Sequence, residues 1–520
     1  MEETKPKEDL SKRFLPNAAM NILSLAVTGI IGLLMVPYYI DSLGIAAYGI
    51  VPVALSMTGY VTIVADSIVN ATYRYLVISI QKGDYEDANR TYSTAVYGLL
   101  LIVAAAVPIT ALFSYMTPEL LDITGNDARS VRILFICILG SVLTTVWSNV
   151  FAVVLMANNR MDLQSLTRIV QSVSQVVLII ILFTAFYPSV VGIGISYLLI
   201  ALATMGLYHT FSRRISPELR SSRKDFSAGR FREIARVSGW NLVTTIGNLL
   251  FVQMSLILTN VFFGSAAGGE FSLVVSIISI IVALGTAVTN AFSPIIYNRF
   301  ALGSLKDMTD IARSAVKVVG IFMAPVLAFV CVFSPQALTI WVGGEFSHLS
   351  RIFWIMMIFM VGFEAVAPLN TISLAHLKIK IPAVMTVVFG ILNIVLAYVF
   401  FRMGYGLEGV AGAWAVSMFV KNCVFYPWYH AKICGLKSYA FHKPLVYGFA
   451  GFAVSAAAFY VLNSLADIPA NLAVLAVLFV VLVSVYSLIA VKYSLSDREK
   501  SLVKSCIPEK ISNKIPEWLL

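Results

Sequence analysis

Asp66, Asn70 and Arg74 stand four residues apart inside a long apolar stretch, so a helix through them carries all three on one face. Arg168 and Gln171, with Ser172 and Gln175, form a second polar face, while Lys421-Asn422 and Glu364 interrupt two later apolar stretches. Amides recur in the same manner. Asn17, Asn21, Ser24 and Thr28 stripe the first helix, and Asn241, Asn248 and Asn290 fall within later ones. Polar side chains are costly in hydrocarbon unless they meet protein or water, so these are the residues in which chemistry is to be sought. The cations outnumber the acids, and both the planar fork of arginine and the point charge of lysine suit phosphate oxygens. A cavity of that polarity, open to the inner leaflet, would attract an anionic head group such as a lipid-linked diphosphate. A simpler reading stands beside it. Amides also hold membrane helices together, at about 0.6 to 2 kcal/mol each, Asp66 and Arg74 suit a structural ion pair, and Arg74 can snorkel to the interface. Arg313 and Lys317 lie only a turn or two into their helix, where a loop-edge role is expected.

The elements that position these residues follow from composition. The chain has 520 residues, 59% of them hydrophobic and 12% charged, with a mean hydropathy of +0.86, which leaves too little polar surface for a soluble globule. A span needs about 20 mostly apolar residues, and about fourteen such stretches can be marked, which predicts an all-α polytopic membrane protein. The net charge of +10 does not indicate nucleic acid. With the N-terminus inside, the lysines and arginines collect on the cytoplasmic segments, Arg213, Arg214, Arg220, Arg223 and Lys224 among them, which places both termini in the cytoplasm. Cys137, Cys331, Cys423, Cys434 and Cys506 show no metal spacing and are expected as free thiols. No Walker A or HExxH motif is present, and the five histidines, His209, His348, His376, His430 and His442, are expected mostly at helix ends, where an interfacial role is the default.

The first 90 residues repeat. Moved forward by 220 positions, the segment from Arg13 to Arg90 falls on Glu233 to Asp310 without a gap: Asn21 on Asn241, Gly44 on Gly264, Gly49 on Gly269, Asn70 on Asn290 and Asp87 on Asp307. The shared residues punctuate, as turn glycines and amides at equal depth, which points to duplication. Six spans separate the copies, so both enter the membrane in one direction. The expected organisation is a cytoplasmic extension (1–13), an N-lobe (14–211), a cytoplasmic linker (212–233), a C-lobe (234–430) related to the first by a pseudo-two-fold axis, an extra helix pair (444–493) and a cytoplasmic tail (494–520). Ser496-Asp497-Arg498-Glu499 has the pattern of a capping box that opens a short tail helix.

Asn21, Pro37, Leu43-Gly44, Tyr48-Gly49, and Asp66 followed by Arg74-Tyr75 resemble the polysaccharide transporter family, which includes the Wzx-type O-antigen flippases of the multidrug/oligosaccharidyl-lipid/polysaccharide superfamily. The resemblance implies fourteen helices around a cationic cavity and movement of a polyprenyl-diphosphate-linked oligosaccharide between leaflets by alternating access, for surface polysaccharide biosynthesis. It implies no enzyme activity and no cofactor beyond coupling to a Na+ or H+ gradient or the membrane potential. On that reading Arg74, Arg168 and Lys421 are diphosphate contacts. Asn21, Asn70, Gln171, Asn241, Asn248 and Asn290 line the cavity, and Asp66 and Glu364 serve as gate or ion-coupling carboxylates. The partners are the lipid-linked glycan, membrane lipids and glycan polymerase machinery, with the protein itself a monomer that binds no nucleic acid. Two rivals remain open: an ion-coupled multidrug efflux antiporter, and a membrane-embedded glycan polymerase or ligase.

Overall fold

The computed structural model describes residues 10–120, 127–158, 160–237, 239–302, 304–376 and 378–506; the side chains of 10–19, 22, 120, 505–506 and of scattered positions around 60–81, 235–241 and 291–301 lie outside the described residues. Among the described residues every regular element is a helix. The chain divides into two compact units, one made of 1–249 with 259–269, the other of 250–258 with 270–520.

The first unit contains α1 (Leu10–Leu43), α2 (Ile45–Lys82), α3 (Tyr85–Leu120), α4 (Ala128–Ala157), α5 (Met161–Ala185), α6 (Val190–Ile215) and α7 (Ala228–Val237). Gly44 alone separates α1 from α2, and its φ of 78° is a conformation that only glycine enters freely. Side chains of the sequence start the later helices. Asp127 accepts from the Ser130 amide at 3.3 Å, and Ser189 from the Gly192 amide at 3.2 Å. α4 is the central helix of this unit, more than half buried, and packs against α2, α3 and α6.

α8 (Gly239–Ala301) has 63 residues, which as a straight rod would reach about 95 Å, roughly three times the hydrocarbon core. It breaks at Gly264, at φ 86° and ψ 174°, close to the 78° and 158° of Gly44. The sequence offset of 220 is therefore repeated in the backbone. Residues 259–269, around this break, belong to the first unit, where a Cβ on Gly269 would stand 2.9 Å from the Ile45 carbonyl oxygen and 3.2 Å from the Gly49 Cα. The repeat-related glycines 49 and 269 thus meet backbone to backbone.

The second unit adds α9 (Leu305–Trp341), α10 (Ser350–Val366), α11 (Leu369–Ala375), α12 (Lys380–Arg402), α13 (Gly406–Phe419), a π-helical turn (Val420–Phe425), α14 (Tyr426–Ile433), α15 (His442–Ala466), α16 (Leu472–Tyr493) and α17 (Asp497–Cys506). α9 is its core helix, 78% buried over its most apolar window. It meets α15 where Gly320 and Gly448 let the two backbones approach, with a Cβ on Gly320 only 3.2 Å from the Gly448 Cα. Among the described residues eleven helices are long and apolar enough to cross a membrane. α8 holds two spans, α13 to α14 is one span interrupted by the π turn, and α2, at 38 residues, is long enough for another, so fourteen crossings agree with these elements. This is an all-α, multi-pass membrane protein.

Two short amphipathic helices close the basic ends of the units. α7 follows a linker that is more ordered than a loop: the amides of Arg220, Ser222 and Ser227 donate to Asn89, Ser93 and Thr94 of α3 at 2.8, 3.0 and 3.1 Å. Arg230 on α7 reaches both oxygens of Asp87 at 2.7 and 2.8 Å and Glu233 at 3.1 Å, while its guanidinium lies 4.6 Å over the Tyr75 ring. Tyr75 donates to Glu233 at 3.0 Å, and Phe231 fills the notch left by Gly98 on α3. In the second unit α17 begins as the sequence predicts, with the Ser496 amide donating to Glu499 at 2.8 Å. Glu499 also accepts from Lys317 at 2.8 Å, so Lys317 is an ion-pair partner inside the fold and not a loop-edge charge. Arg498 reaches Asp310 at 2.9 Å and Asp307 at 3.4 Å.

Candidate functional site

In the first unit α1 packs along α5, and Thr28 and Ser172 hydroxyls meet at 3.3 Å, joining the two polar faces picked out from the sequence. Gln171 is half-buried beside that contact. Arg168 is exposed and hydrogen-bonds Tyr208 of α6, and Gln175 donates to Ser196 at 2.6 Å. The α5 face is thus partly tied into the helix bundle, with Arg168 at its open edge. Asn21, Asn248 and Asn290 are exposed on otherwise apolar spans, Asn290 one turn beyond the exposed Thr286. The side chains of Asp66, Asn70, Arg74, Asn241 and Asn17 lie outside the described residues.

In the second unit Lys421 stands in the π turn. A π turn accommodates one residue more than an α turn, and such bulges are frequent at functional sites. Lys421 is only 4% exposed, with its ammonium 4.9 Å from the centre of the Phe251 ring and 5.5 Å from that of Tyr426. No carboxylate of a described residue pairs with it. Aromatic faces supply part of the electrostatic compensation that an ion pair would otherwise give. Its neighbour Asn422 turns back on its own helix, donating to the Met418 carbonyl at 3.1 Å.

Asn393 of α12, which sequence reasoning passed over, is fully buried beside this place and donates to Ser255 at 3.0 Å and to the Leu250 carbonyl at 3.2 Å. Its signal was available, as the single amide in an apolar 23-residue span. Glu364 on α10 is 1% exposed, and its carboxyl occupies the space that Gly285 of α8 leaves by having no side chain. Its Oε1 is buried and has no hydrogen-bond partner among the described residues. His430 corrects the interfacial expectation: it is buried, with Nδ1 2.7 Å from the Tyr426 carbonyl and Nε2 2.8 Å from the Ser373 hydroxyl. The described cysteines are free, and no group of described residues has the makings of a metal site.

The second unit therefore holds a buried ammonium and a buried amide that share Phe251 and, on α10, a buried carboxylate. A lone ammonium there can hold an anion. The carboxylate can take up a proton or a small cation.

Comparison with known proteins gives a family and a fold. A family model described as "Polysaccharide biosynthesis protein" matches residues 14–298, more than half of the chain. The chain is 26% identical over 437 residues to the uncharacterized membrane protein EpsK of Bacillus subtilis, covering 84% of this chain and 86% of EpsK. Among solved structures it is similar to the lipid II flippase MurJ in an inward closed conformation, at a TM-score of 0.70 and 13% identity over 91% of this chain and 98% of that one. It is also similar to an inward-facing multidrug resistance MATE family transporter of the MOP superfamily, at a TM-score of 0.60 and 14% identity over 86% and 99% of the two chains. The fold is that of these transporters.

Proposed function

Because the chain belongs to the polysaccharide biosynthesis protein family, we propose that it is a flippase that carries a polyprenyl-diphosphate-linked oligosaccharide from the inner to the outer leaflet of the cell membrane, with both termini in the cytoplasm. The observation that carries this reading is Lys421, a buried cation held by two rings with no carboxylate of a described residue against it. Burying an unpaired ammonium is costly, and a passing diphosphate would offset that cost. The likeness to a lipid II flippase supports the same class of cargo.

On this reading Arg168 and Arg74 give further phosphate contacts, and the exposed amides Asn21, Asn248 and Asn290, with Asn70, Asn241 and Gln171, hydrogen-bond sugar hydroxyls. The lipid tail stays in the bilayer. Glu364 and Asp66 serve the gate or couple it to a Na+ or H+ gradient, and access alternates between the two sides.

The test is export of surface polysaccharide by Lys421→Ala, with membrane insertion checked separately. A lost charge-assisted contact of about 1.5 to 3 kcal/mol predicts roughly a ten- to hundredfold loss of export, with partial recovery in Lys421→Arg. Wild-type export from Lys421→Ala would overturn the proposed anion site. Undiminished export together with lost efflux of a cationic drug would point instead to an antiporter.

A further inference from the structure

A cavity of about 650 Å³ opens at the basic end of the second unit, where α9, the connection from α14 to α15, and α17 converge. Four cations line it, Arg313, Lys317, Lys437 and Lys443, against one carboxylate, Glu499. That carboxylate is already engaged: the same oxygen accepts from Lys317 and from the Ser496 amide, both at 2.8 Å. Arg313 faces Asp310 at 3.6 Å, but Arg498 takes the other oxygen of that aspartate at 2.9 Å, and the Nε of Arg313 is buried with no hydrogen-bond partner among the described residues. Lys437 and Lys443 are exposed and meet no carboxylate among the described residues; Lys443 lies 5.3 Å over the Tyr439 ring. Two positive groups, Lys437 and Lys443, therefore face one concavity with no matching acid among the described residues, and a third, Arg313, shares its aspartate with Arg498.

We propose that this cavity is a binding site for a phosphate-bearing group, separate from the site around Lys421 and independent of the transport reading. Arginine and lysine side chains converging from several elements match phosphate oxygens better than a carboxylate, which has fewer acceptors and less charge to share among them. The walls are the ends of two membrane helices, and half-exposed Tyr439 and Tyr447 stand at the rim, where aromatic side chains meet lipid head groups. Basic pockets between helix ends hold anionic lipid head groups by the same physics. Soluble phosphate carries the same chemistry.

The experiment is native mass spectrometry of the full-length protein with phosphatidylglycerol, with phosphatidylcholine and with inorganic phosphate, comparing wild type and Lys437→Gln/Lys443→Gln. Both lysines are exposed, so the double variant leaves packing intact, and Arg313→Gln provides a second, partly buried probe. Retention of phosphatidylglycerol over phosphatidylcholine, falling about tenfold or more in the double variant, supports a lipid source. Displacement of the retained lipid by millimolar phosphate, or saturable phosphate binding lost in the variant, supports a soluble source. Equal binding of all three probes by wild type and both variants would overturn the proposal.

Discussion

Asp87 and Asp307 are the same residue of the repeat, 220 positions apart, and each receives an arginine from a short amphipathic helix. The residues just before their helices also stand at equivalent positions, but bond differently: Asp84 accepts from the Asp87 amide at 3.0 Å, whereas the Ser304 hydroxyl donates to the Asp307 carboxylate at 2.7 Å. The two straps are not equally tight. Arg230 grips both oxygens of Asp87, is 19% exposed and stacks on Tyr75, whereas Arg498 is 57% exposed and shares itself between two aspartates. A partly buried pair, in which one guanidinium nitrogen reaches both carboxylate oxygens, is worth more than an exposed one. α7 is thus built into the first unit by its arginine. α17 depends more on the half-sheltered Lys317–Glu499 pair, 13% and 11% exposed. The same acidic residue serves a fixed linker in one copy and a looser tail in the other.

This contrast can be broken most strongly at Arg230. Removing it in Arg230→Ala should cost α7 about 2 kcal/mol of docking, seen as roughly thirtyfold faster amide exchange over residues 228–237. Arg498→Ala should cost α17 about 0.5 kcal/mol and change exchange there only about twofold. Equal effects at the two sites would show that the straps are equivalent after all. The smallest effect is expected from acid. The hydrogen bond from Arg230, then that from Tyr75, holds the Glu233 carboxyl below its ordinary value of 4.5. A lowered folded value contributes stability that is complete above the ordinary pKa and lost as pH falls through the lowered one. A nitroxide at Arg232→Cys should therefore report a constant α7 environment above that value and loosening below it. In the Arg230→Ala background the acid step should shrink.

The repeat was legible because turns make local demands: a backbone at φ near 80° calls for glycine wherever it occurs, so Gly44 and Gly264 survive as markers. The capping pattern at Ser496 was legible for the same reason. The equivalence of the straps was not. The aspartates align, but their arginines come 143 and 191 residues later, because the α15 and α16 pair intervenes before α17. Tyr75, which the family resemblance includes, gave no hint that its ring would carry a linker arginine. Of the candidate site, the types of residue were readable but their surroundings were not. Nothing in Val420–Phe425 announces a π turn, and the burial of Lys421, His430 and Asn393 depends on which helices pack against them.

The widened turn at Val420–Phe425 also has a consequence for reading related sequences. Each residue advances a helix by about 100°, so the surplus position turns everything after it to a different compass bearing than an unbroken rod would have. His430 lies beyond that rotation and faces Ser373. A homologue one residue shorter here should align with its gap inside the widened turn, with the histidine kept in register beyond it.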